Sequence, residues 1–150
     1  MRRTMCIVVI AGLAAIANLS CKDENRFVEP NFVLTKWAGA IQNLNYRDYA
    51  ACEAYPKSEA TFREMYRNYY IIDIMATDIE DADKDKARSD QAGNRYMHRM
   101  LDFEGTIINR HTRKATGVMR GNTVFVKFLD GRRSGDGWLM SNRTLIPVQR

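Results

Sequence analysis

Asp73 is the carboxylate whose neighbours set it apart. It stands in YYIIDIM (residues 69–75), with Tyr69, Ile71 and Met75 on its own side of an alternating strand and Tyr70, Ile72 and Ile74 on the other. A carboxyl among apolar side chains has two outcomes. Desolvation raises its pKa and suits it to general acid or base work, or a hydroxyl or a cation holds it ionised. The first outcome makes Asp73 the catalytic candidate. The second puts it at the open edge of a sheet, or pairs it with Arg143 or Lys127. The second is expected, because no other polar group can be assigned to work beside it.

Other chemistries find less support in the sequence. The two histidines, His98 and His111, lack metal-ligand spacing with Cys, Asp or Glu. The stretch GRRSGDG (131–137) lacks the Lys-Ser/Thr ending of a phosphate loop, and no serine sits in a nucleophile elbow. Cys52, in YAACEAY, has no local histidine to activate it and reads as a small buried hydrophobe. No metal and no cofactor are expected. Two turns are basic, one with Arg110, Arg113 and Lys114, the other with Arg132 and Arg133. Consecutive hairpins of a meander lie at opposite ends of the sheet, so the turns do not merge into one patch. Solvated turn residues are expected there, and nucleic acid is not an expected partner.

The elements that must position these residues are legible from periodicity. Residues 31–44 place Leu34, Trp37, Ala38, Ile41 and Leu44 on one helical face, with Asn31 as the expected cap after Pro30. A second helix is expected in YRDYAACEAY and ends before Pro56. A third is capped by Ser58 and carries Phe62, Met65, Tyr66 and Tyr69 at helical spacing. Then the pattern turns to strands. They cover residues 69–79, 95–109, 116–130 (with a bulge or bend expected at Gly121) and 138–146. Leu101, Phe103 and Ile107 are expected to face the helices, joined by Val124, Val126, Phe128, Trp138 and Met140. The other face takes Asp102, Glu104, Lys127 and Arg143 as solvated cross-strand pairs.

The N-terminus has its own signature. Arg2 and Arg3 precede a 13-residue apolar run, residues 5–17, which is shorter than the roughly 20 residues that span a bilayer. Ser20-Cys21 follows, then the charged stretch KDENRFVE. This resembles a bacterial lipoprotein signal, although Asn18 and Leu19 depart from the usual order before the cysteine. The resemblance implies residues 1–20 as signal peptide, Cys21 as the site of lipid attachment, and residues 21–29 as a tether. The expected location is the bacterial cell envelope, anchored to a membrane through Cys21. Removing residues 1–20 leaves 130 residues, enough for one domain with a real core. The formal charge falls from +5 to +3, because two arginines leave.

Three helices before a long antiparallel meander make an α+β arrangement over residues 30–150. In WAGAIQNLNYRDYAACEAYP, SEATFREMY and GWLMSNRTL the chain resembles the nuclear transport factor 2-like (SnoaL-like, cystatin-like cone) superfamily. The resemblance implies a curved sheet wrapped around a long helix. It implies isomerases, cyclases and dehydratases among the relatives, and also members without catalysis, so fold alone does not settle activity. The ketosteroid isomerase pattern is not kept. Trp37 stands where that pattern has an oxyanion-binding tyrosine, and Glu53 is the only carboxylate in the interval that should hold the general base. Trp37, Tyr66, Asp73, Phe103 and Trp138 are the expected lining of a ligand site in the cone. The expected function is non-catalytic binding of a small apolar ligand or of an envelope protein, with a homodimer among the expected assemblies. The alternatives are an isomerase or lyase using a cavity carboxylate, and a purely structural envelope protein.

Overall fold

Burial of one helical stripe and one sheet face drives the architecture. The computed structural model describes residues 29–149. Cys21, the apolar run before it and residues 22–28 lie outside the described residues. Three helices come first: α1 (Pro30–Gln42), α2 (Tyr46–Cys52) and α3 (Glu59–Met65). The strands β1 (Tyr69–Ile79), β2 (Arg88–Ser89), β3 (Arg95–Asn109), β4 (Ala115–Phe128) and β5 (Trp138–Gln149) follow. They form one antiparallel sheet in the order β1-β3-β4-β5, with β2 also paired to β3. The α+β class read from the sequence is the class observed. Among the described residues, no helix is long and apolar enough to cross a membrane.

Local chemistry explains the helix ends, with two departures from expectation. The cap of α1 is Glu29, not Asn31, because Pro30 takes the first helical position, where its fixed φ fits and its missing N–H costs nothing. The α2 helix ends at Cys52, earlier than Pro56 requires. Glu53 and Ala54 leave it to bridge β5, where the Ala54 N–H donates to the Met140 carbonyl at 2.7 Å. Ser58 caps α3 as expected, accepting from the Thr61 N–H. Phe62 and Tyr66 are fully buried, whereas Met65 is largely exposed and Tyr69 already belongs to β1.

The core lies between α1 and the sheet. Val33, Leu34, Trp37 and Ile41 of α1 meet Leu101, Phe103, Phe125 and Trp138 of the sheet. Burying a side chain of this size contributes about 1.5–3 kcal/mol. One expectation is corrected here. Leu101 pairs with Thr123 and Phe103 with Gly121, so Met119, Thr123 and Phe125 share their face. Val124, Val126 and Phe128 point the other way, and Val126 joins a smaller cluster with Ala54 and Leu139. A strand that is apolar on both faces does not announce its register, and a slip of one residue reverses every side chain.

The bulges also move. Gly121 sits in regular pairing. An added Cβ there would come within 1.9 Å of the Thr144 carbonyl oxygen, so the glycine permits close strand approach. The irregularities fall at Ile72/Met75 in β1, at Ile107/Ile108 beside β4, and at Val124/Phe125 opposite β5. At the N-terminal end of α1, Glu29 accepts from Arg99 at 2.7 Å, and the Arg99 guanidinium lies over the Trp138 ring.

Candidate functional site

Glu53 is 3% exposed, which makes it the most deeply placed carboxylate among the described residues. The exit of α2 puts it under the helix layer, and Arg143 of β5 meets it there at 2.5 Å. Arg143 also lies over the Trp37 ring, 5.1 Å from its centroid, and its second nitrogen stands 3.5 Å from the Tyr66 hydroxyl. Burial pushes the Glu53 carboxyl up, and Arg143 pulls it back. Glu53 in turn helps hold the Arg143 guanidinium charged against the same burial. The Trp37 indole N–H and the Tyr49 hydroxyl act on the Glu53 carboxylate, yet neither closes a hydrogen bond of ordinary geometry. Burial raises the Tyr49 and Tyr66 hydroxyls as well. Aromatic rings fill the space around the pair, with Tyr49 and Phe62 at 4.5 Å and Trp37 and Tyr66 edge to face at 6.1 Å.

Arg143 was expected on the solvated face. The bulge that leaves Ser141 between Met140 and Asn142 turns it inward, and no local sequence pattern marks that bulge. Two arginines of the basic turns are likewise structural. Arg110 donates to the Ile41 and Gln42 carbonyls at 2.8 Å, and also reaches those of Tyr66 and Tyr69. Arg133 pairs with Asp136 and donates to the Glu53 and Ala54 carbonyls. Neither α1 nor α2 carries a basic residue in its last turn, so hairpins of the sheet supply the cations that helix C-termini favour.

The five residues expected to line a ligand site divide into three groups. Trp37 and Tyr66 join the buried pair. Phe103 and Trp138 belong to the same core from the sheet side. Asp73 joins neither group. It is exposed, at the irregularity of edge strand β1, with a φ of 53°. Left-handed backbone suits Asp better than a β-branched residue, and a bulge at this edge discourages further strand pairing.

An open cleft of about 510 Å³ lies at the end of the sheet that α1 does not cover. Ile107, Met119, Leu145, Pro147 and Val148 give it an apolar bed. Tyr69, Asn68, Asn109 and Thr116 complete the wall. Burial raises the Tyr69 hydroxyl, and Arg143 partly offsets this. A second cleft, of about 490 Å³, lies on the opposite face near β2 and holds His98, Asp81, Arg88 and Ser141 among its walls. His98 is 8% exposed. Its Nε2 is 2.8 Å from Asp81, and its Nδ1 is buried without a partner. Hydrogen bonds from the Asp83 N–H and from His98 hold the Asp81 carboxyl below its usual range. The polar face foreseen for His98 is there, but the chain after β1 covers it. That contact spans 17 residues of sequence and has no local signal.

Among the described residues, no group of three or more His, Cys, Asp or Glu side chains is placed to hold a metal ion. Cys52 is buried outside any disulfide. In comparison with known proteins, no family model matches the chain, and neither a curated protein nor a solved structure does.

Proposed function

We propose that the chain is an exported envelope protein, lipid-anchored through Cys21, whose domain is a cone of the nuclear transport factor 2-like kind that binds a ligand or a protein without catalysis. The observation that carries this reading is where space is found. The centre, where a catalytic carboxylate of the cone would work, is packed with Trp37, Tyr49, Phe62 and Tyr66, and Glu53 is tied to Arg143. Open volume that adjoins this core lies at the uncovered end of the sheet, in a cleft walled by apolar and amide side chains with no carboxylate, histidine or thiol, whereas the clefts that hold Asp102 and Glu104, or Asp81 and His98, lie elsewhere on the sheet. Such a surface sequesters apolar groups and offers no proton donor or acceptor beyond amides, a threonine and a tyrosine. Methyl-resolved NMR of Met119 and Leu145 tests the reading. Titration with dodecanol should shift both methyl groups and leave Phe62 and Trp37 resonances in place. Unmoved Met119 and Leu145 methyl groups would refute it.

A further inference from the structure

We infer that this cleft receives a single-chain amphiphile bearing a carboxylate, with its chain on the apolar bed and its headgroup at the turn of residues 110–114. The inference rests on the binding reading above. The bed is formed by Ile107, Met119, Leu145, Pro147 and Val148, and its volume of about 510 Å³ falls within the usual range for small-molecule sites, about 300–1,000 Å³. Its charge is one-sided. The lining residues come from three stretches, 65–72, 105–129 and 137–150, and none of these contains an Asp or a Glu. The turn that joins Asn109 and Thr116, two wall residues, carries Arg110, His111, Arg113 and Lys114.

Arg110 is spent on the carbonyls at the end of α1. His111, Arg113 and Lys114 are exposed and form no ion pair among the described residues. Burial lowers Arg110, the nearby Tyr70 hydroxyl opposes this, and the neighbouring charge of Arg113 adds a smaller lowering. A neutral chain would gain the bed alone, and a cationic one would be repelled. An anion gains both the bed and the turn. A carboxylate carries two acceptor oxygens, which match the two exposed long cations of the turn, Arg113 and Lys114.

Calorimetric titration of the full chain with dodecanoate, dodecanol and dodecyltrimethylammonium, each below its micelle concentration at low salt, tests this. Dodecanoate should bind about 5- to 10-fold more tightly than dodecanol, the gain that two exposed ion pairs supply, and the cation should bind most weakly. The preference should vanish in Arg113→Gln/Lys114→Gln and at about 0.5 M salt, while dodecanol binding persists. Leu145→Glu should remove binding of both, which places the event in the cleft. Equal affinity for dodecanoate and dodecanol would overturn the inference. So would a preference unchanged in the double variant, or a dimer occupying the cleft that dodecanoate does not dissociate. If no probe binds, the binding reading fails along with it.

Discussion

Arg143→Met tests the centre of the molecule most directly. The substitution keeps an unbranched apolar stem and deletes the guanidinium. The side chains of Glu53 and Arg143 are 4% and 12% exposed, so a carboxylate is left buried with no cation. Breaking one half of a buried pair costs about 3–5 kcal/mol. The lost contact over Trp37 adds about 0.5–2 kcal/mol. For a domain of this size each kcal/mol lowers Tm by about 3–5 °C, so the fall should be about 10–35 °C. The pH dependence has a definite sign. Burial already pushes the Glu53 carboxyl up, and removing Arg143 removes the largest opposing influence. The folded variant then holds a proton that the unfolded chain, titrating near about 4.3, has released. Its stability is greatest at low pH and is lost as pH rises through the raised folded value, more steeply than in the parent. Thermal melts of parent, Arg143→Met and Arg143→Met/Glu53→Gln at several pH values measure this. The double variant should recover most of the loss. An Arg143→Met protein with unchanged Tm, or with the parent's pH slope, would refute the buried-pair reasoning.

Further outcomes follow from other contacts. Arg110→Ala should cost about 2–4 kcal/mol in denaturant melts, because the carbonyls at the end of α1 lose a charged donor. Gly121→Ala should lower the unfolding free energy, read from denaturant melts, by about 1–3 kcal/mol or more, since its Cβ meets the Thr144 carbonyl, which cannot rotate away. Trp37→Ala and Trp138→Ala should each cost about 3–5 kcal/mol, as both rings are buried in one core; an unchanged melt of either would contradict that packing. Asp81→Asn should flatten the acid limb of the stability curve. The depressed Asp81 carboxyl contributes stability above its unfolded pKa, and this is lost as pH falls through the folded value. Cys21→Ala should abolish lipidation, read as intact mass; an unmodified Cys21 in the parent would remove the anchor from the proposal.

Where residues repeat with the period of their element, the sequence was a good guide. The bounds of β1 and β3 follow from runs of β-branched and aromatic residues between polar connections, and Ser58 marks the start of α3 by capping chemistry. The long-range contacts were not legible. Glu53 stood out as the sole carboxylate of its interval, yet its partner Arg143 is 90 residues away and turns inward only because of a bulge. The face of β4 was misread because Val124, Val126 and Phe128 alternate as cleanly as Thr123 and Phe125, and only the pairing with β3 chooses between them. Apolar neighbours in sequence left two readings of Asp73, desolvated or at the open edge of the sheet; the expected edge position is where it lies, because exposure is decided by neighbours across the sheet and β1 is an edge.

The two ends of α1 have a mechanical consequence. The helix is a strut of about 20 Å at 1.5 Å per residue, pinned at one end by Glu29 on Arg99 and at the other by Arg110 on the Ile41 and Gln42 carbonyls. Glu29 stands at the Arg99 pole, while Asn109, the neighbour of Arg110, lines the cleft at the other. A pull at Glu29 loads the Glu29–Arg99 link first, and behind it the stacked Trp138. The strut and its far pin stand between such a load and the cleft walls. A load applied at Glu29 therefore meets the length of α1 and the Arg110 pin before it reaches the cleft, and the cleft walls keep their shape.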